Sequence, residues 1–387
     1  MEARIYLDYA ASTPMLPEAK QAVTQALELL GNPSSIHRAG QEAKRHLERA
    51  RKQVAGLINA KPEEVYFTSC GTESNNWAIR GLLGANKRKG NHLIVSSIEH
   101  PSVLLIAKRL EKEGCDVTFF PVTRDGVVEP KALKSALKPT TVLVSIMHAN
   151  GEIGTVQPIQ ELARLAHEAG VLFHTDAIAS VGHVPVDVKE LGVDALSLAA
   201  NQFYGPPGAA ALYVKEGMRI LPLLEGGGQE GGARSGTENL LSIVGLGAAA
   251  ELTAKTLPER MAHTSRLRDR LKTGLQERLE DLRFNGSWTS RLPHNLHVCV
   301  AGASSESLVL GLDQEGVAVG IGSACNSKTM RPSHVLQATG LSEQEAQGAL
   351  LLSVGVPTTD QEIDRALEVF PGVVSRLRHV TAMTTAR

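Results

Sequence analysis

The residue of this chain best placed for covalent chemistry is Cys325, within G-S-A-C-N-S-K-T-M-R-P-S-H-V at Gly322 to Val335. A run of small and polar residues is a poor place to bury a thiol. Lys328 and Arg331 nearby favour the thiolate, the form that attacks sulfur. Cys115 and Cys299 lie in strand-like contexts and read as structural, whereas Cys70, directly before Gly71 and Thr72, is ambiguous and leans structural. Four widely spaced cysteines without a C-x-x-C predict neither a disulfide framework nor a closed zinc site, and a reducing compartment follows as the default. A second setting is the glycine-dense stretch E-G-G-G-Q-E-G-G-A-R-S-G-T at Glu225 to Thr237, expected to be an ordered functional loop. A third is L-S-L-A-A-N-Q-F-Y-G-P-P-G-A-A-A-L-Y at Leu196 to Tyr213, an apolar strand, a turn and a second strand, with Gln202 in the turn. The lone pair of an amide nitrogen is delocalised into its carbonyl, so Gln202 cannot act as an amine nucleophile.

The elements that must position these residues follow from apolar patterning. Runs suited to buried strands recur at Val65–Thr68, His92–Ser96, Asp116–Phe120, Val142–Met147, Val171–Thr175, Ala195–Leu198 and Ala210–Val214, with helical spacing between many of them. Pro17, Pro101 and Pro158 near helix starts, and Gly31 and Gly170 near helix ends, mark the alternation of an α/β unit with a mainly parallel sheet. This large domain is expected over 16–259. A smaller α+β domain is expected from 1–15 with 260–387, built on a long charged helix around Glu259 to Leu282, a strand at Asn295–Val300 and helices near Glu306 and Glu362.

Bulk properties narrow the function. The 387 residues are 42% hydrophobic, enough for a large core, and 40 basic against 41 acidic residues leave a formal charge of -1. That balance offers no global basic field for nucleic acid and no polybasic segment for a membrane. The N-terminal M-E-A-R-I-Y-L-D has no basic and apolar leader pattern, and no run of about 18 apolar residues is evident, so a cytoplasmic protein is expected.

Seven further segments share one resemblance: Y-L-D-Y-A-A-S-T-P (Tyr6 to Pro14), G-N-P-S-S-I-H-R-A-G (Gly31 to Gly40), F-T-S-C-G-T-E-S-N-N (Phe67 to Asn76), I-E-H-P-S-V (Ile98 to Val103), H-A-N-G-E-I-G (His148 to Gly154), H-T-D-A (His174 to Ala177) and R-S-G-T-E-N (Arg234 to Asn239). In order and spacing the chain resembles the cysteine desulfurase family of the NifS/IscS type, within the class V aminotransferase fold (fold type I). The resemblance implies a pyridoxal phosphate site. Gly71, Thr72 and the amides around them would meet the phosphate at a helix start. His100 would stack on the pyridine ring, Asn150 would hydrogen-bond near its hydroxyl, and Asp176 would keep its nitrogen protonated. Thr237 would reach the phosphate of a neighbouring subunit, which implies a homodimer; for the glycine loop, a dimer contact and phosphate binding are equally expected. Cys325 would carry a persulfide to a sulfur-acceptor or iron-sulfur scaffold protein, or ligate a cluster itself. His37, His148 and His174 are expected to be hydrogen-bonded scaffold.

The chain departs from the family pattern at five positions. Gln202 stands at the cofactor-bonding lysine, Asn201 at a histidine, Ala199 at a phosphate-binding serine, Ala179 at a glutamine, and Leu351 at the arginine that clamps the substrate carboxylate. Covalent cofactor attachment at Gln202 is chemically excluded. The expectation is a degenerate desulfurase-like site in which pyridoxal phosphate is absent or held non-covalently. Function then falls to sulfur relay or scaffolding through Cys325, to a lyase or desulfurase with a non-covalent cofactor, or to regulation of an active paralogue through mixed dimers.

Overall fold

The computed structural model describes residues 4–322 and 333–385. Among them, seven strands build the central sheet: β2 (Val65–Thr68), β3 (His92–Ser96), β4 (Asp116–Phe120), β5 (Thr141–Ser145), β6 (Leu172–Asp176), β7 (Ala195–Ala199) and β8 (Ala210–Val214). Their order is β2-β8-β7-β6-β5-β3-β4, and only β8 runs against the rest. Strands β3, β5, β7 and β8 are buried along their whole length. This is why they read as continuous apolar runs rather than alternating ones. One face packs through Leu47, Val54, Leu162, Ala166, Ile243 and Leu246, the other through Trp77, Leu82, Val103 and Ile106, so helices cover both sides.

A second core forms around a three-stranded antiparallel sheet, β9 (Leu282–Phe284), β10 (Asn295–Val300) and β12 (Ala349–Ser353), in the order β12-β10-β9. The N-terminal strand β1 (Ile5–Leu7) pairs in parallel with β11 (Val317–Val319) and places Ile5 and Leu7 in this core. The helix Leu240–Arg278 serves both cores, with Ile243 and Leu246 in the first and Leu267, Leu271 and Leu275 in the second. The boundary read from sequence at 259/260 therefore falls inside one helix, and Pro258 sits within it. By length and composition alone this helix is apolar enough to cross a membrane, but Ile243, Leu246, Ala249 and Ala250 are buried against the sheet. A core helix needs the same apolar surface.

Three local devices aim the site. His100 caps the helix Pro101–Lys112: its Nδ1 accepts from the Ser102 N–H at 3.1 Å, and Pro101 fills the first turn where no donor is needed. Strand β6 ends on Asp176. After β7 the chain turns through Ala200–Gln202 and is held by Tyr204, a non-glycine residue at φ 72. Two hydrogen bonds fix that strained conformation, the Tyr204 N–H to Thr13 Oγ1 at 2.6 Å and the Val356 N–H to the Tyr204 hydroxyl at 2.8 Å.

Candidate functional site

A cavity of about 370 Å³ opens at the carboxyl ends of β3, β5, β6 and β7, the usual place for a ligand on a doubly covered parallel sheet. Gly71, Thr72, His100, Asn150 and Asp176 all line it. So do the five departures Ala179, Ala199, Asn201, Gln202 and Leu351. Positions spread over 280 residues of sequence thus share one wall.

Asp176 is buried and oriented. Its Oδ2 accepts from Asn75 Nδ2 at 2.7 Å and its Oδ1 from the Ile178 N–H at 2.9 Å. Burial pushes its pKa above the ordinary value, against the pull of the Ile178 N–H, His100 and Asn75. His100 is exposed toward the cavity, and its Nδ1 is 2.8 Å from Ser102 Oγ. Because Nδ1 accepts the Ser102 N–H, the neutral ring carries its proton on Nε2. Asn150 is more committed than its expected role required: its Oδ1 accepts from the Glu152 and Ile153 N–H groups and its Nδ2 donates to the Ile98 carbonyl at 3.0 Å.

The helix Gly71–Ala85 begins with no side-chain cap. Its first amides and dipole therefore face the cavity without an internal acceptor, which suits an anion. A Cβ at Gly71 would lie 2.1 Å from Ile178 Cδ1, so glycine keeps this wall open. Cys70, ambiguous from sequence with a structural lean, is exposed at the N-cap position and lines the cavity. Cys299 is buried in β10, and burial pushes its thiol up to about 11. His37, His148 and His174 each make the hydrogen bonds expected of scaffold, to the Gly40 N–H, Ser180 Oγ, and Ser145 and Ser197 Oγ respectively.

Gln202 is half-buried and its Nε2 donates to the Ala11 carbonyl at 3.3 Å, while His183 Nε2 donates to its backbone carbonyl at 2.8 Å. Leu351 is 4% exposed. Thr237 is exposed and does not line this chain's cavity. Cys325 lies outside the described residues, but Gly322 and His334, on either side of that segment, both line the cavity.

Sequence reasoning missed three carboxyl groups of the wall, Asp8, Glu99 and Glu152. Burial raises Asp8 to about 6. Glu99 is raised to about 8 by burial and the Asp176 charge, against the Ser96 hydroxyl and Met147 N–H that both reach its Oε1. Glu152 is raised to about 7 by burial, against the Ser333 hydroxyl. Each sits inside a motif quoted above, beside the residue that drew attention. Nothing in the local spacing distinguishes a buried carboxyl from a solvated one.

The Aminotransferase class-V profile matches residues 5–366, and the chain belongs to that family. Within it, the chain is 45% identical to cysteine desulfurase IscS of Dictyoglomus turgidum over 98% of this chain and 97% of that one. It is also 45% identical to cysteine desulfurase IscS of Methanosarcina thermophila, over 98% and 94%. A solved NifS-like protein superposes with a TM-score of 0.91 at 34% identity, covering 96% of this chain and all of its own.

The family is pyridoxal phosphate-dependent, and the residues present fit part of that cofactor. The uncapped helix start suits its phosphate, Asp176 its ring nitrogen and the His100 ring its face. Nothing described suits its aldehyde, because no lysine lines the cavity among the described residues.

Proposed function

We propose that this chain is a cysteine desulfurase-like homodimer that has lost covalent pyridoxal phosphate chemistry. It works in the cytoplasm as a sulfur-relay or scaffold protein through Cys325, in iron-sulfur cluster assembly or thiolation. The observation that carries this reading is Gln202 in the cavity wall with neither lysine nor arginine among the described lining residues. Without an amine the cofactor has no covalent anchor. Without a guanidinium a substrate carboxylate loses a charge-assisted hydrogen bond of about 1.5–3 kcal/mol. The Cys325 thiolate would take the outer sulfur of a donor persulfide; that S–S bond breaks as the new one forms and the donor thiolate leaves, with no net redox change.

The test has two arms. Incubation with pyridoxal phosphate followed by borohydride should leave the intact mass unchanged, and no alanine should form from cysteine. Incubation with an active cysteine desulfurase and radiolabelled cysteine should label the wild type and not Cys325→Ser. A borohydride-stable adduct, or alanine production by the chain alone, would sink the proposal.

A second reading, an enzyme with non-covalent cofactor, is favoured by the uncapped start of Gly71–Ala85 and the oriented Asp176. Bound pyridoxal phosphate supplies an electron sink for a substrate carbanion. Thr72 and the Gly71 amide would hold its phosphate, Asp176 would retain the ring proton, and His100 would cover one face. Equilibrium dialysis decides: free loss of the cofactor at micromolar concentration removes this reading.

A further inference from the structure

Asn75 sits one turn inside the helix Gly71–Ala85, behind the amides that start it, and is fully buried. Its two amide protons go to two different parts of the site. Nδ2 donates to Asp176 Oδ2 at 2.7 Å and to Ser102 Oγ at 2.9 Å. Chemistry fixes which end of the amide faces them, because a carboxylate oxygen at that distance would repel the Oδ1 carbonyl.

Each branch ends on a group that lines the cavity. On one, Asp176 is held by Asn75 at Oδ2 and by the Ile178 N–H at Oδ1, so both oxygens are pinned and the plane of the carboxylate is set. On the other, Ser102 Oγ accepts from Asn75 and has its own proton left for His100 Nδ1, 2.8 Å away. A single side chain thus ties the end of β6 and the start of the helix Pro101–Lys112 to the helix whose first amides face the cavity. A buried asparagine serving only as a strut would use its acceptor as well. Asn75 Oδ1 has no partner among the described residues, although the residue is 0% exposed. A dry acceptor costs stability that an apolar side chain of the same size would not, so the position is there for its donors. Neighbouring Asn76 shows the contrast: its Nδ2 donates to the carbonyls of Thr72 and Ser102, which joins the same two helices without reaching Asp176 or His100.

We infer that Asn75 is a positioning residue of the cofactor site: its amide holds the Asp176 carboxylate in place relative to the helix start that suits a phosphate, and fixes the His100 ring through Ser102. A ligand anchored by its phosphate then meets an ionised carboxylate able to accept from a protonated ring nitrogen. Without the Asn75 donor, burial leaves Asp176 with its own proton and no charge to offer. The inference rests on the reading in which pyridoxal phosphate is held non-covalently, and it is independent of Cys325.

The probe is pyridoxamine phosphate, which has no aldehyde, carrying an isotopically labelled ring nitrogen. It is added to the full-length protein at about pH 9.5, where the free pyridine nitrogen bears no proton. Bound to the wild type, that nitrogen should keep its proton and give the pyridinium shift in nitrogen NMR. Asn75→Leu should bind about tenfold more weakly and give the free-base shift. Asn76→Leu should keep the pyridinium shift and bind within about twofold of the wild type, a split that a merely structural role for Asn75 would not produce. A pyridinium shift retained in Asn75→Leu overturns the inference, as does its loss in both variants. Should Asn75→Leu fail to fold, the side-chain amide resonance of Asn75 in the wild type decides: it should move when the probe is added, and an unmoved resonance overturns the inference. If the wild type binds no probe, the non-covalent reading falls and the inference with it, whereas binding with a ring signal indifferent to Asn75→Leu removes the inference alone.

Discussion

Two groups of carboxylates in this fold follow opposite rules. Two acids packed on the glycine loop 225–237, Glu230 and Glu73, each have a cation. Glu230, with a side chain 1% exposed, receives both terminal nitrogens of Arg51 at 2.7 Å and the Phe67 N–H at 2.8 Å. Glu73 receives Arg234 at 2.8 and 3.1 Å together with Ser69. Burial pushes Glu73 upward, but Arg234 and Ser69 outweigh it and hold the carboxyl below its ordinary value. In the cavity wall Glu99 and Glu152 have no cation partner among the described residues, and burial wins. The loop acids are used for holding the fold together. The cavity acids have only neutral donors among the described residues, so burial sets their protonation.

The largest effect should come from removing a cation on the satisfied side. Arg51→Met strands Glu230 in the core and should cost about 3–5 kcal/mol, read as a shift of the urea midpoint. Arg234→Ala leaves Glu73 its Ser69 donors and should cost less, about 1–2 kcal/mol by the same measurement. On the unsatisfied side the sign reverses with pH. Glu99 keeps its proton in the folded chain up to about 8, whereas the unfolded chain loses it near the ordinary value of 4.5. Its contribution is therefore complete below about 4.5 and is lost as pH rises through about 8. Glu99→Gln should flatten the fall of Tm between pH 6 and pH 9 by about 3 °C. A steeper profile in that variant would mean that the wild-type carboxyl has a cation partner after all. The smallest effect is expected at the exposed Lys61–Glu216 pair, where Lys61→Ala should not move Tm measurably.

Most of the sheet was legible beforehand. Strands β2, β3, β4, β8 and β10 fall on their expected residues, because strands buried on both faces leave uninterrupted apolar runs. β1, β9, β11 and β12 escaped notice: the first three have three residues each, too short for periodicity to register, and β12 is a five-residue apolar run that spacing alone does not separate from a helix segment. The helix Leu240–Arg278 was read as starting near Glu259, since its apolar first half and charged second half look like separate segments. They are one helix because each half packs into a different core. In the site, the residues flagged by motif, Gly71, Thr72, His100, Asn150 and Asp176, do converge. The ambiguity at Cys70 is resolved only by the fold, because its exposure is set by its place at the uncapped helix start rather than by its neighbours in sequence.

By itself the sequence determined what cannot happen at position 202, since the reactivity of an amide is a property of one residue type and survives any fold. It also located the strands of the central sheet to within a residue or two, because burial patterns are local, whereas their order in the sheet is a matter of long-range pairing. The tertiary structure alone decided that Asp8, Glu152 and Leu351, separated by up to 343 residues, meet around Gly320 and Gly322 with no cation among the described residues of the wall. A carboxyl group becomes a site or a strut according to the charges and donors that long-range packing brings within a few ångströms of it, and that sum is not written in any one segment of the chain.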